Sequence, residues 1–279
     1  WPSQSRQLDN MSIVVTGAAG LIGVNLVARF LAAGEQVIGL DNLCRGTLDN
    51  LNEVSTHSNF IFHKVNLDDI DTYRTVLTQV HADSEVTEVW HLAANSDIPA
   101  GVHDPSIDLR DTFMTTYNTM VLMGELGIDN LAFASSSAVY GDLGDRALDE
   151  DTGPLLPISN YGAMKLASEA AISAAAESHL KKVYIFRFPN VVGRPATHGV
   201  ILDFVHKLQA TPEQLDVLGN GTQQKSYLHV SELVDAMLFI RERAAARLNY
   251  FNIGTDDIGI SVRNIAEQVV SEVSPAARL

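Results

Sequence analysis

The stretch Ser12-Ile13-Val14-Val15-Thr16-Gly17-Ala18-Ala19-Gly20-Leu21-Ile22-Gly23 decides the fold. Its mostly β-branched opening reads as a strand, its glycines as a turn, and the following Leu26, Val27, Phe30 and Leu31 recur at helical spacing. A strand that runs through a glycine turn into a helix lets backbone amides approach a pyrophosphate. The helix start adds unpaired N–H groups and the positive end of its dipole. Gly17, Gly20, Leu21, Ile22 and Gly23 are therefore candidate cofactor contacts. The spacing is G-x-x-G-x-x-G, which departs from the G-x-G-x-x-G of the common dinucleotide fingerprint.

Outward from this turn, strands alternate with helices. Gln36-Val37-Ile38-Gly39-Leu40 ends at Asp41, where a carboxylate can hydrogen-bond a ribose diol. A 2′-phosphate would meet a negative charge there, so the placement favours NAD, although nearby Arg45 keeps NADP open. Further strands are expected at Phe60–Val65, Glu88–Ala94, Leu131–Ala134 and Lys182–Phe188, and a helix at about 106–126. Asp68-Asp69 is an acidic helix start suited to the macrodipole. Such alternation predicts an α/β fold with a doubly wound parallel sheet, whose ligands gather beyond the carboxyl ends of the strands. The glycine turn, Asp41, Ala93 and Ser136 all fall at such ends.

The chemistry is expected in two segments, Ser135-Ser136-Ser137 and Ser159-Asn160-Tyr161-Gly162-Ala163-Met164-Lys165. Tyr161 and Lys165 stand four residues apart among helix formers, so both project from one helix face. A cation beside a tyrosine favours the phenolate and lowers a pKa that is ordinarily about 10, which would make a usable base. The same spacing occurs on many helices by chance, and the convergence of strand ends is what singles this pair out. The helix is expected to run to about residue 178 and is rich in alanine, including Ala167, Ala170, Ala171, Ala174 and Ala175. Alanine allows close helix approach, and a homodimer through the helices near 106–126 and 160–178 is expected.

After Phe188 the alternation becomes irregular. Residues 11–189 are read as the nucleotide-binding domain, with about 228–254 returning to it, and 190–279 as mainly a smaller, discontinuous substrate lobe. Residues 1–10 are patternless and are read as an extension. At 279 residues and 46% hydrophobic, the chain can bury a large core. Lys and Arg number 19 against 34 Asp and Glu, a net charge of −15 with no basic cluster, which disfavours nucleic acid as a partner. One cysteine, Cys44, excludes an internal disulfide and a multi-cysteine zinc site and fits a reducing cytoplasm. No apolar run reaches membrane-spanning length, so no membrane partner is expected.

Taken together, Thr16 to Gly23, Asp41-Asn42, His91-Leu92-Ala93-Ala94, Ser135 to Gly141, Tyr161-Gly162-Ala163-Met164-Lys165 and Arg187 to Gly193 resemble the extended short-chain dehydrogenase/reductases. More narrowly, they resemble the nucleotide-sugar epimerase and dehydratase branch. The resemblance implies a Rossmann-type fold with a smaller C-terminal substrate-binding lobe, and NAD as cofactor. Ser136, Tyr161 and Lys165 would be catalytic. Gly17, Gly20, Gly23, Asp41, Asn42, Asn66, Leu67, Ala93, Tyr161 and Lys165 would hold NAD, with Asn66 in the place of a usual Asp. Ser136, Ser137, Asn190 and Lys225 would meet a nucleotide-diphosphate sugar, Lys225 standing where an arginine is common. Family members that eliminate water carry an Asp-Glu pair after the catalytic serine, and this chain has Ser137-Ala138. The expected reaction is therefore 4-epimerisation, in which hydride is removed and returned through a 4-keto sugar. Alternatives are net NAD(P)-dependent reduction or dehydrogenation, 4,6-dehydration, or a cofactor-binding sensor without catalysis.

Overall fold

The structure, a computed structural model, describes residues 11–144, 146–197, 199–256 and 259–279. The strand that opens the chain, β1 (Met11–Thr16), is buried from Ser12 onward and enters α1 (Leu21–Ala32) through the glycine turn. Then follow β2 (Gln36–Asp41), β3 (Phe60–Lys64), α2 (Ile70–Asp83) and β4 (Glu85–His91). Asp69 caps α2 by accepting the Thr72 N–H at 3.2 Å. After the short α3 (Ile98–His103) come α4 (Pro105–Asp108), a π-helical segment at Leu109–Met114, and α5 (Thr115–Leu126).

β5 (Asn130–Ala134), α6 (Asn160–Ala176) and β6 (Lys182–Arg187) complete the central alternation. Farther on lie β7 (Asn190–Val192), α7 (Val200–Ala210), β8 (Gln224–Lys225), β9 (Tyr227–His229), α8 (Val230–Arg243), β10 (Leu248–Asn252), β11 (Ile260–Ser261) and α9 (Val262–Val273).

One seven-stranded sheet has the order β10-β6-β5-β4-β1-β2-β3, with every pairing parallel. The order reverses direction between β1 and β4. In an open parallel sheet that reversal opens a crevice at the carboxyl ends of the strands, and the expected doubly wound α/β architecture is what the chain adopts. Apolar layers cover both faces. Val24, Val27, Phe30, Leu233 and Met237 pack on one, and Tyr73, Leu77, Met123, Ile172 and Ala176 on the other. β10 joins the sheet beside β6, and α8 packs against α1. A separate apolar cluster forms where Phe204 and Leu208 of α7 meet Ile265, Ala266 and Val269 of α9.

Three local features differ from the sequence reading. β4 begins three residues before Glu88, and α6 ends at Ala176. The helix expected near 106–126 starts after Asp104, which caps it by accepting the Ser106 N–H at 3.0 Å, and it is interrupted by the π segment. Within that interruption Thr112 is fully buried. Its carbonyl accepts the hydroxyls of Thr115 and Thr116, and its hydroxyl accepts the Asn95 N–H at 3.2 Å. Threonine hydroxyls compete for helix carbonyls, and a single wide turn is a recurrent device beside functional sites.

Candidate active site

The glycine turn is set by backbone packing. Gly17 has φ +69°, and a Cβ there would stand 2.9 Å from the Ala93 nitrogen, so only glycine lets β1 pass this close to the end of β4. At Gly23 a Cβ would come within 2.0 Å of the Gly17 carbonyl oxygen. Gly20 occupies the N-cap of α1. No side chain caps this helix and no acidic residue sits in its first turn, so its amides are left for an anion. Leu21, Ile22 and Gly23 supply that first turn.

Asp41 lies at the carboxyl end of β2, only 9% exposed. One carboxylate oxygen accepts the Ala19 N–H at 3.0 Å and the other the Leu43 N–H at 2.7 Å. Burial pushes its pKa up while these amides oppose the rise. Each oxygen keeps a lone pair, which suits a ribose diol. Arg45 is engaged by Asp97, so its charge is not free for a 2′-phosphate. Asn42 donates to the Asn66 side-chain oxygen at 3.2 Å, and Asn118, which the sequence reading does not single out, fixes the next residues by donating to the Leu67 and Asp68 carbonyls. The residues present thus fit a dinucleotide along the strand ends: an uncapped amide turn, a buried diol-binding carboxylate and a polar Asn pair beside it.

Across the crevice, Ser136 follows β5 by two residues. Its hydroxyl accepts the Ala138 N–H at 3.2 Å and lies within hydrogen-bonding reach of the Tyr161 phenol. Ser137 is tied through its N–H to the Phe188 carbonyl at 3.1 Å. α6 is capped by Ser159, whose hydroxyl accepts the Gly162 N–H at 3.0 Å. At Gly162 a Cβ would stand 2.6 Å from the Ala138 carbonyl oxygen, so the start of the helix presses against the serine turn and brings Tyr161 to Ser136.

Lys165, 2% exposed, places Nζ 4.7 Å from the Phe133 ring centre and 5.9 Å from that of Tyr161, and donates to the Ala134 carbonyl at 2.6 Å. The pair stands together as the spacing predicts, but its electrostatics differ. Burial pushes the Tyr161 phenol up to about 12, with Ser136 partly opposing it, and pulls the Lys165 ammonium down to about 7. The expectation that the neighbouring lysine lowers the phenol pKa is thereby corrected: the phenol is raised. Burial is the main cause of both shifts.

Around this pair lie further side chains, of which Glu169 falls in none of the sequence motifs, while His91, Tyr140 and Arg187 fall in motifs that give them no role. Glu169, one turn beyond Lys165, is buried and gripped by Arg187 with nitrogen-oxygen distances of 3.0, 3.2 and 2.7 Å, while Ser135 donates to the same carboxylate. Arg187 also reaches the Tyr140 hydroxyl at 2.9 Å. His91, fully buried between Thr16 and Thr116, is pushed down to about 3 by desolvation and is neutral. Asn190 of β7 pairs with Tyr227 of β9 and its side-chain amide donates to the Ser226 carbonyl at 3.4 Å, while the neighbouring Lys225 belongs to β8 and pairs with Ile260 of β11.

The fold defines an α/β protein of the dinucleotide-binding type, with Ser136, Tyr161 and Lys165 gathered at the carboxyl end of β5. The chain belongs to the NAD dependent epimerase/dehydratase family, whose sequence profile matches residues 13–254. It is 32% identical to a UDP-glucose 4-epimerase of Mycolicibacterium smegmatis, over 88% of this chain and 77% of that one. A UDP-glucose 4-epimerase of Thermus thermophilus solved in complex with NAD superposes with a TM-score of 0.81 at 28% identity, over 94% of this chain and 83% of that one. A dTDP-glucose 4,6-dehydratase of Bacillus anthracis in complex with NAD shares the fold at a TM-score of 0.80 and 24% identity, covering 94% and 80%. NAD is the cofactor of the family and the expected nucleotide for the turn. Among the described residues no helix is long and apolar enough to cross a membrane.

Proposed function

We propose that the protein is an NAD-dependent nucleotide-sugar 4-epimerase. The observation that carries this reading is the Tyr161 phenol beside the Ser136 hydroxyl with Ser137-Ala138 following, an arrangement with one acid-base group and no acidic pair for elimination. NAD, held by the Gly17–Gly23 turn and Asp41, would supply reversible hydride acceptance at the sugar C4. Tyr161 takes the C4 hydroxyl proton and gives it back. Ser136 donates a hydrogen bond to the C4 oxygen, and Lys165 adds positive charge behind the tyrosine. The proton is returned in each cycle, so a deeply buried base needs no exit to solvent. Asn190 of β7 and Lys225 of β8 would contact the substrate from the C-terminal part of the chain. The sugar's carrier is a nucleoside diphosphate, and the similarity to UDP-glucose 4-epimerases favours UDP.

The test is to incubate the purified protein with NAD and a panel of nucleotide sugars and follow C4 configuration by proton NMR. Interconversion of a C4 pair without net NADH supports epimerisation, and accumulation of NADH without interconversion replaces it with a net dehydrogenase. Tyr161→Phe should abolish turnover and keep bound NAD.

The alanine-rich face of α6 supports a homodimer. Ala171 and Ala174 line an open groove of about 550 Å³ together with Tyr117, Met120, Val121 and Gly124 of α5. Burying it against a second copy would remove this apolar surface from water, and sedimentation showing only monomer at micromolar concentration would reject the dimer. The single exposed cysteine, Cys44, suits a cytoplasmic setting.

A further inference from the structure

Buried charges are held by partners or they destabilise the fold. Asp41 meets backbone amides, Glu88 meets Arg241 at 2.7 Å, Asp108 takes the Asn95 amide at 2.9 Å, and Lys165 donates to the Ala134 carbonyl. Glu169 and Arg187 go further. They bind each other, and each also reaches a residue of the short segment that carries Ser136.

On one side of Ser136 stands Ser135, 1% exposed, whose hydroxyl donates to the Glu169 carboxylate and whose N–H donates to the Phe186 carbonyl at 2.8 Å. On the other side Tyr140, also 1% exposed, closes the turn formed by Ser137–Tyr140. Its hydroxyl accepts Arg187 Nη1 at 2.9 Å and donates to the Asn252 side-chain oxygen at 2.7 Å, and the guanidinium carbon lies 5.1 Å from its ring centre. Between these anchors Ser136, Ser137 and Ala138 are only partly buried. The two ends of the segment are thus pinned to the two halves of one ion pair, and its middle faces the crevice.

The helix end of the clamp is the catalytic helix itself. Tyr161, Lys165 and Glu169 recur every four residues on α6, so the phenol, the ammonium and the anchor for the serine segment share one helix face. Lys165 holds the carbonyl of Ala134, and Glu169 holds the hydroxyl of the next residue. An apolar pair of similar size would join α6 to β6 at least as stably, whereas a carboxylate and a planar guanidinium fix direction as well.

We infer that the Glu169–Arg187 pair is a clamp that sets the Ser136 hydroxyl against the Tyr161 phenol, with Ser135 and Tyr140 as the positioning residues through which it acts. Both are too buried to touch a sugar, so their effect on chemistry passes through Ser136. The inference rests on the reading of Ser136 and Tyr161 as the acid-base pair for its effect on turnover, while the hydrogen bond between them can be followed without any substrate.

The test uses full-length protein with its bound cofactor, labelled with 13C at the tyrosine Cζ, the Tyr161 signal being identified by its loss in Tyr161→Phe. Ser136→Ala gives the position of that signal without the hydrogen bond, and a position equal to wild type would overturn the proposal. Ser135→Ala leaves the ion pair and removes one anchor. It should move the Tyr161 signal toward the Ser136→Ala position and lower kcat about tenfold with KM within about twofold of wild type. In a Ser136→Ala background the same change should cost less than about twofold, because a residue that acts through Ser136 has nothing left to position. A Tyr161 signal unmoved in Ser135→Ala, or a turnover loss that repeats in full on the Ser136→Ala background, overturns the clamp. If Ser135→Ala does not fold, Tyr140→Phe removes the other anchor and is read in the same way, an unmoved Tyr161 signal again rejecting the proposal. A moved signal with no activity on any sugar supports the clamp and counts against the epimerase reading alone.

Discussion

The Lys165 ammonium nitrogen lies 2.6 Å from the carbonyl oxygen of Ala134, the last residue of β5, in a site from which water is excluded. Its pKa is drawn from the ordinary 10.5 down to about 7, chiefly by burial. Below about pH 7 the side chain is charged in both the folded and the unfolded chain, and burial of that charge weighs against the fold. Between about 7 and 10.5 the unfolded chain holds a proton that the folded chain has released, so this group's contribution to stability rises with pH. Urea unfolding of wild type and Lys165→Met at pH 7, 8 and 9 should show wild type gaining on the variant by up to roughly 1.4 kcal/mol per pH unit. A difference that does not change with pH would contradict the buried, part-discharged lysine.

Ser136 has two duties that one substitution separates. Its hydroxyl accepts the Ala138 N–H and also meets the Tyr161 phenol. Ser136→Ala should cost about 1 kcal/mol through the lost cap and roughly 10²-fold in turnover through the lost hydrogen bond to the reacting oxygen. Ser136→Thr keeps the capping oxygen and should restore most of the stability. Thermal unfolding and kcat for both variants check the split; equal turnover in Ser136→Ala and wild type would remove Ser136 from the chemistry.

The parts of this molecule written in local pattern are legible in the sequence, and the parts made by tertiary packing are not. The G-x-x-G-x-x-G turn, Asp41 at a strand end and the Tyr161–Lys165 spacing are short-range signals, and the parallel sheet places all of them at one edge. Asp108 is different. In sequence it is one more acidic residue in an amphipathic segment, and only the approach of Gly101 and the π segment closes it off from water. The Glu169–Arg187 pair likewise joins a helix to a strand end. The pKa of Tyr161 escapes the sequence for a related reason, because spacing shows which charges are near and says nothing of how much water they lose.

The Glu169–Arg187 pair ties α6 to the end of β6 with both side chains under 10% exposed and three short nitrogen-oxygen contacts. Removing one partner strands the other charge in the interior. Glu169→Gln should destabilise the protein by about 3 kcal/mol, with the amide still able to accept one bond from Arg187. Calorimetry or urea unfolding at pH 7 measures this directly. A loss below about 0.5 kcal/mol would mean that water reaches the pair and that its charge is screened.

Two glycines near α1 separate cofactor binding from backbone strain. Gly23 has ordinary helical geometry, but a methyl group there would stand 2.0 Å from the Gly17 carbonyl oxygen and 2.8 Å from the Ala18 Cα. The backbone cannot step aside without opening the turn whose amides are proposed to hold the diphosphate. Gly34, in the tight turn after α1, has φ +85° and nothing within 4 Å, so its alanine variant is strained but sterically free. Gly34→Ala should lose about 1 kcal/mol of stability and retain wild-type NAD content after purification. Gly23→Ala should lose bound NAD while keeping the sheet, as followed by the cofactor released on acid denaturation and by far-UV circular dichroism. If Gly23→Ala held NAD as well as Gly34→Ala does, the turn from Gly17 to Gly23 would not be the diphosphate site, and the assignment of the crevice would have to move away from α1.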